Sequence, residues 1–291
     1  MSKTIGLELV RNFIKYVLYS GFVKNAVRPV SGLIVADPER AKSTEVKTWH
    51  GLGVRTLQDL TAYGLATEIR KMSEKDREIF HHIIIPDLER LKARSRNVRE
   101  ELLSTFRIVM DEGLQSVSTA YIKLDLDNPV RLGILMCTTP DDLGDKRSVF
   151  RTLSFQSRVL PFTYDFNDAL KLKILEFVET EEHIIQERHY FKREEKSTVV
   201  LPKHYARALN SYAKLLSRRL ERFSKTSSMR KTEAQRLVGV RPKENLMTLL
   251  KAIALYHGCT TVRKEHFKEL QELYNFMNYD FRKIKPRKAG D

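Results

Sequence analysis

The sequence predicts an α/β fold in which a mostly parallel β-sheet is followed by an all-helical region. Up to about residue 164, short apolar runs of strand type alternate with segments of helical periodicity, as in parallel sheets covered by helices. From residue 165 onward, helical spacing dominates. The length of 291 residues suits one large domain or a core with a smaller second domain.

The first part of the chain supplies the predicted sheet. Residues 1–28 form an amphipathic helical segment, which Pro29 ends. His81 and His82 stand beside an apolar run, so we interpret them as strand-edge residues and not as a catalytic pair. The predicted strands lie at 30–35, within 52–64, and at 82–85, 132–139 and 158–164, and the predicted helices lie at 42–50, 65–80 and 97–112.

A β-hairpin is expected within residues 119–139. Two runs of strand type flank Asp127-Asn128-Pro129, which is a turn signal. The second arm of the hairpin overlaps the predicted strand at 132–139, so the hairpin comes directly before Thr138 and Thr139.

Helical periodicity dominates the second part of the chain. Apolar residues recur at helical spacing within 203–223 and predict a packing face made of Tyr205, Leu209, Tyr212, Leu216, Leu220 and Phe223. Helices are expected at 167–180, 203–223, 231–238, 243–257 and 263–277. The predicted organisation is a helical lead-in over 1–29, an α/β core over 30–164, a helical domain over 165–281 and a loose basic tail over 282–291.

The net charge of +15 is concentrated in the second part of the chain. Residues 165–291 carry 27 Lys and Arg against 17 Asp and Glu, whereas residues 1–164 carry 25 against 20. A basic face of this size commonly binds nucleic acid, by neutralising phosphates and releasing their counterions, and the alternative explanation is solubility or a host with a basic proteome. The charge therefore favours nucleic acid as a partner.

The composition indicates a protein of a reducing compartment. No apolar run approaches the roughly 20 residues that span a bilayer, and the amino terminus lacks the pattern of a signal peptide. Two cysteines are too few for a disulfide scaffold. We expect a cytoplasmic protein without a membrane partner.

The segment 33-LIVADPERAKST-44 has the layout of a phosphate-binding loop. An apolar strand ends in a short loop that closes on Lys-Ser-Thr before a helix, as in the pattern G-x-x-x-x-G-K-[ST]. Alanines occupy both glycine positions. Such a loop surrounds ATP phosphates with backbone N–H groups, a lysine and a hydroxyl that holds Mg²⁺. The predicted nucleotide-binding residues are Ala36, Asp37, Pro38, Glu39, Arg40, Ala41, Lys42, Ser43 and Thr44.

Polar residues follow the other predicted strands in a matching order. Asp87 comes after the strand at 82–85, where nucleoside triphosphatases place the carboxylate that holds Mg²⁺, so Ser43 and Asp87 are the predicted metal ligands. Thr138 and Thr139 end the next strand and are candidates to orient a water. Arg158 opens the last strand and is placed to reach the γ-phosphate of a neighbouring subunit in a ring.

With these motifs the chain resembles an AAA+ ATPase over about residues 30–280. The resemblance implies that Lys42 and Ser43 end the Walker A motif, that Asp87 is the Walker B acid, that Thr138 or Thr139 is sensor one and that Arg158 is the arginine finger. The hairpin resembles the pre-sensor-one hairpin of helicase-like members. The loop is also similar to the A-P-P-E-S-G-K-T loop of small ATPases from archaea and their mobile elements.

The second part of the chain resembles the lid of minichromosome-maintenance helicases. The segment 240-VRPKENLMTLLKAIALYHGCTTVRKEHF-267 places an arginine at the start of a Leu- and Ala-rich helix, followed by a turn into the last helix. The resemblance implies a sensor-two role for Arg241. It also implies DNA as a partner, whose backbone would be contacted by the basic lid and by Lys123 and Arg131 of the hairpin, and assembly into a homo-oligomeric ring such as a hexamer.

Two departures from the family pattern leave hydrolysis open. Ala41 replaces the glycine that passes closest to the phosphates, and Leu88 replaces the glutamate that usually follows the Walker B aspartate. Glu89 is the nearest candidate base, and Asp59 is a second one that better suits a turn or a helix cap. The favoured function is a DNA-dependent ATPase, and the alternative is a DNA-binding clamp or structural subunit that holds nucleotide without hydrolysing it.

Overall fold

The computed structural model describes residues 6–118, 123–144, 149–179, 188–190, 195–225 and 238–284. The α-helices are α1 (Glu8–Tyr19), α2 (Lys42–Lys47), α3 (Ala62–Lys71), α4 (Glu74–Ile79), α5 (Arg96–Asp111), α6 (Pro140–Gly144), α7 (Leu153–Gln156), α8 (Asp168–Glu179), α9 (Lys203–Lys225), α10 (Val240–Tyr256) and α11 (Lys264–Tyr274). The strands are β1 (Ser31–Val35), β2 (Trp49–His50), β3 (Val54–Thr56), β4 (His82–Ile85), β5 (Leu114–Ser118), β6 (Lys123–Val130), β7 (Gly133–Thr138), β8 (Val159–Thr163), β9 (Asp165–Phe166), β10 (His189–Tyr190) and β11 (Lys283–Ile284).

A five-stranded parallel sheet forms the centre of the protein, with the strand order β3-β4-β7-β1-β8. The predicted α/β class is therefore confirmed, and the sheet is consistent with a P-loop-like core. The register pairs Val35 with Thr138 and Ile85 with Met136. Because parallel strands end at the same edge, the segments that follow β1, β4 and β7 lie next to one another.

Helices cover both faces of this sheet, which explains the continuous apolar strands. Ile34, Leu135 and Cys137 pack with α1, α9, α10 and α11 on one face. Their neighbours Leu33 and Met136 pack with α3 and α5 on the other face. Side chains of a strand alternate between the two faces, so every core strand has to be apolar along its whole length.

The carboxyl-terminal helices pack directly against the sheet and the first helix. Buried residues from both sides of residue 165 belong to one continuous apolar cluster, in which α10 contacts α1 and β8. The apolar face predicted for the helix at 203–223 is a packing face, because Leu209, Leu216 and Leu220 of α9 are fully buried. Within the residues that the structure describes, no helix has both the length and the apolarity needed to cross a membrane.

The hairpin differs from the prediction in its turn. Strands β5 and β6 pair from Leu114↔Val130 to Ser118↔Lys123, so the connection lies at 119–122, outside the described residues. The predicted turn Asp127-Asn128-Pro129 lies inside β6, opposite a register shift in β5. Turn-forming residues also suit an irregular edge strand, where a bulge tolerates Pro, and the sequence signal does not separate the two cases.

Two further predictions need correction. The helix expected at 65–80 is two helices, α3 and α4, because Ser73 starts a new helix by accepting a hydrogen bond from Asp76 N at 3.1 Å. The tail expected to be loose from 282 begins with Lys283–Ile284, which pair in parallel with Asp165–Phe166. The helix expected at 231–238 and the tail beyond 284 lie outside the described residues, apart from Val238.

Candidate functional site

The predicted phosphate loop connects the end of β1 to the start of α2. Its first residue is anchored to the neighbouring strand, because Ala36 N donates to Thr138 O at 3.4 Å. Its far end is anchored from the other side, because the Tyr164 hydroxyl donates to Arg40 O at 2.6 Å and Arg40 Nε pairs with Asp165 Oδ1 at 2.9 Å. The loop is thus held between the segments that follow β7 and β8.

Lys42 and Ser43 lie at the carboxyl edge of the sheet. Lys42 is buried, and its Nζ donates to Asp37 O at 3.2 Å across the loop. Burial lowers the pKa of Lys42, and nearby groups that include Asp87 and Asp142 oppose that shift. Ser43 Oγ donates to Pro86 O at 2.7 Å, next to Asp87. A buried ammonium group beside a hydroxyl and a carboxylate suits an Mg²⁺-bound phosphate chain.

Ala41 adopts the backbone conformation that glycine would favour. Its φ is 56° and its ψ is 12°, in the left-handed region, and it immediately precedes α2. Glu39 also has a positive φ of 62°. A residue with a Cβ is strained in this region by about 1–2 kcal/mol, so the loop keeps its shape at an energetic cost.

Replacing Ala41 by glycine is expected to stabilise the protein. The Ala41→Gly variant relieves the left-handed strain, and we expect the free energy of unfolding to rise by about 0.5–1 kcal/mol after the added chain entropy is subtracted. Chemical denaturation measures this change. The matched control is Ala36→Gly, because Ala36 is fully buried and has no positive φ. The free energy of unfolding of that variant is expected to fall by about 1 kcal/mol. If the free energy of unfolding changes in the same direction in both variants, the strain at Ala41 is contradicted.

The segment that follows β4 places Asp87 near the loop, but it does not place a glutamate there. Asp87 Oδ1 accepts from Glu89 N at 2.9 Å and so caps a short 3₁₀ turn over Glu89–Ala93. Glu89 is exposed, whereas Leu88 is buried and its N donates to Cys137 O at 3.0 Å. The alternative base, Asp59, is exposed and paired with Arg94. The carboxylate nearest to Lys42 and Ser43 in this segment is therefore that of Asp87.

The third strand end brings two threonines with different environments to the site. Thr138 is buried and lies opposite Val35, at the start of the loop. Thr139 is half-buried, and its Oγ1 accepts from Asp142 N at 3.2 Å at the start of α6. Thr138 thus lies beside the phosphate loop, while Thr139 serves as a helix cap. Asp142, which is buried near Lys42, is a site residue that the sequence prediction missed.

The two predicted arginines lie at the opposite edge of the sheet. Arg158 precedes Val159, which pairs with Ser31 at the start of β1, whereas the loop follows the end of β1. The length of strand β1 separates these edges by about 15 Å. Arg158 Nε pairs with Asp111 Oδ2 at 2.8 Å, and Arg241 Nη2 pairs with the same oxygen at 3.0 Å. The structure therefore brings Arg158 and Arg241 together, but away from Lys42 of the same chain.

Asp111 is the centre of an arginine cluster, which consists of Arg28, Arg158 and Arg241. Arg28 Nη1 lies 3.1 Å from Asp111 Oδ1, and its Nη2 lies 2.8 Å from Glu244 Oε2. The cluster joins the segment after α1, the end of α5, the start of β8 and the first turn of α10. No sequence signal connects these four segments, since the partners of Asp111 are far apart in the chain.

Neither the protein-family models nor the curated proteins contain a match to this chain.

The hairpin residues predicted to contact DNA are exposed, but their surroundings are not strongly basic. Lys123 shares its strand with the exposed Asp125 and Asp127. Arg131 Nε donates to Glu112 O at 3.1 Å. Two carboxylates near one lysine weaken the attraction of this strand for phosphate.

The described residues also line a cavity of about 350 Å³, away from the phosphate loop. It lies at the amino-terminal edge of the sheet, between residues 20–29, α4 and β6. The described residues hold no group of three or more His, Cys, Asp or Glu close enough to bind a metal ion by themselves. Mg²⁺ in nucleotide sites is held by one or two protein oxygens together with phosphates and water, so the absence of such a group does not bear on the predicted ligands Ser43 and Asp87.

Proposed function

We propose that this chain is an AAA+-type ATPase that acts on DNA. The observation that carries the proposal is the convergence of Lys42, Ser43 and Asp87 at one edge of a parallel sheet with the strand order β3-β4-β7-β1-β8. Lys42 would bind the β- and γ-phosphates, and Ser43 and Asp87 would hold Mg²⁺. When bound, Mg²⁺ neutralises the phosphate charge and polarises the phosphoryl group.

The proposed chemistry uses the residues around the loop in distinct ways. The backbone of Asp37–Ala41 encloses the phosphates, and the Tyr164 and Asp165 contacts to Arg40 keep the loop in place. Thr138 orients the attacking water. Arg158 and Arg241 act on the nucleotide of a neighbouring copy in a ring, which agrees with their separation from Lys42 in their own chain. The net charge of +15 supports DNA as the partner.

A second candidate function is nucleotide binding without hydrolysis. It is favoured by one observation: the residue after Asp87 is the buried Leu88, and Glu89 is exposed in a 3₁₀ turn. A site without a carboxylate base would hold ATP as a structural ligand of a DNA-binding clamp.

ATP turnover with and without DNA distinguishes these functions. We expect DNA to increase ATP turnover by the wild type. We expect turnover by the Lys42→Ala variant to be at least about 100-fold lower than that of the wild type, because a charged contact to the phosphates is lost. The control is Lys47→Ala, which removes an exposed lysine from the same helix. Nucleotide binding without turnover would support the clamp, and equal turnover in Lys42→Ala and wild type would exclude the proposed site.

A further inference from the structure

A basic stripe runs along the exposed face of α9. Helix α9 spans 23 residues and contains seven Lys and Arg but one acidic residue, Glu221. Its opposite face is buried through Leu209, Ala213, Leu216 and Leu220. The exposed basic residues, which we call the basic stripe, are Lys203, Arg207, Lys214, Arg218 and Arg222.

The stripe residues share one side of the helix. At about 100° per residue, they fall within an arc of about 100°, centred away from the buried face, and Glu221 lies in the same arc, so this face carries five basic residues and one acid. Arg219 is not part of the stripe, because its guanidinium donates to Met277 O at 3.2 Å and lies over the Tyr274 ring. The stripe is therefore a distinct surface and not a general excess of arginine.

The charges of the stripe are not used within the described part of the fold. Among the described residues, no ion pair, hydrogen bond or ring contact involves the side chains of Lys203, Arg207, Lys214, Arg218 or Arg222. The arginines of the cluster around Asp111, in contrast, are paired with carboxylates. Like charges on one helix face repel one another, so an anionic partner would stabilise this face.

The stripe is long enough to contact several phosphates of a nucleic-acid backbone. Lys203 and Arg222 lie near the two ends of α9 and are about 28 Å apart along the helix axis. Stripe residues four positions apart, such as Lys214 and Arg218, are about 6 Å apart along that axis, and Arg207 and Lys214 are about 10 Å apart. Each strand of duplex DNA carries one phosphate per about 3.4 Å of its axis, so several phosphates lie within the length of the stripe. We propose that the basic stripe of α9 is a docking surface for the phosphate backbone of DNA, bound without base readout.

The stripe, rather than the hairpin, is the main DNA contact. The exposed Asp125 and Asp127 stand beside Lys123 in the hairpin, whereas Glu221 is the single acid along α9. This inference rests on the proposed action on DNA and names the surface that performs it.

The test is DNA binding by a charge-reversed stripe. The variant R207E/K214E/R218E is compared with wild type by fluorescence anisotropy on a labelled duplex of arbitrary sequence, over about 50–200 mM salt. We expect at least about a 100-fold loss of affinity and a salt slope that is smaller by about 3. The matched control R70E/K71E/K75E makes the same charge change at exposed residues of α3 and α4. The DNA affinity of this control is expected to fall by less than about tenfold, because only its net charge changes.

Two other outcomes distinguish a failure of the stripe from a failure of the proposed action on DNA. If the wild type binds DNA and both triple variants lose the same amount of affinity, the stripe is overturned as the DNA contact, while DNA stays the partner. No binding by wild type would overturn the action on DNA and the stripe together.

A milder variant covers the case in which the triple variant does not fold. Circular dichroism of both triple variants shows whether their helices are intact. The single substitution Lys214→Gln removes one charge of the stripe without reversing it, and we expect it to reduce the salt slope by about 1. A salt slope equal to that of wild type in Lys214→Gln would overturn the stripe.

Discussion

Removing the Asp111 carboxylate is expected to lower the free energy of unfolding by about 3 kcal/mol. Asp111 contacts Arg28, Arg158 and Arg241, and its side chain is only 11% exposed. The Arg28 and Arg158 side chains are also largely buried, at 9% and 13% exposure. In Asp111→Ala, three guanidinium groups would remain close together, and among the described residues only Arg28 would keep a carboxylate partner, Glu244. The uncompensated buried charge is the main cause of the loss.

The matched control for this prediction is Glu112→Ala. Glu112 is the next residue, and it is exposed. We expect that substitution to change the free energy of unfolding by less than about 0.5 kcal/mol. Urea denaturation of both variants gives the comparison. Similar stabilities for Asp111→Ala and Glu112→Ala would show that the arginine cluster does not depend on this carboxylate.

Acidification is expected to destabilise the protein through the buried pair His81 and His82. The two Nδ1 atoms are 2.6 Å apart, and His82 Nε2 lies 3.0 Å from Val30 O. The carbonyl oxygen only accepts, so His82 carries its proton on Nε2, and its Nδ1 accepts from His81 Nδ1. Burial disfavours the charged form, so both rings are neutral and the Nδ1 of His82 is free to accept. Burial lowers the pKa of His82 to about 4 and that of His81 well below its usual value.

The sign of the pH dependence follows from these lowered pKa values. The unfolded chain protonates His82 near pH 6.5, whereas the folded protein does so only near pH 4. The folded state thus binds fewer protons between these values, and stability falls as the pH decreases through that window. The loss from His82 is about 3 kcal/mol and is complete below about pH 4.

The comparison that checks this prediction uses His82→Gln. Free energies of unfolding are measured from about pH 7.5 to about pH 4, which spans the window of the pair, for wild type, His82→Gln and the control His204→Gln. His204 is exposed on α9. The pH dependence should be weaker in His82→Gln and unchanged in His204→Gln. The same slope in all three proteins would contradict a neutral buried pair.

The sequence predicts the sheet better than it predicts the site. Apolar runs such as Ile83–Ile85 locate core strands because a strand buried on both faces has to be apolar throughout. The predicted hairpin turn is wrong because Asp127-Asn128-Pro129 suits both a turn and an irregular edge strand. Local patterns contain the residue types that a segment needs, but they do not show which of two compatible geometries forms.

Long-range pairs are the part of the site that local patterns miss. Lys42, Ser43 and Asp87 follow strand ends, and the parallel sheet brings such ends together. Tyr164 and Asp165 hold Arg40 from a distant part of the sequence, and Asp111 joins arginines from three segments. The basic stripe of α9, in contrast, has a local signal in its helical spacing, since it lies on one helix.

Binding of a fluorescent ATP analogue with Mg²⁺ tests the central claim most directly. Wild type, Lys42→Ala and Lys47→Ala are titrated under the same conditions. We expect saturable binding by wild type and Lys47→Ala, and an affinity lower by at least about 100-fold in Lys42→Ala. No binding by wild type, or equal binding by wild type and Lys42→Ala, would contradict a nucleotide site at this loop.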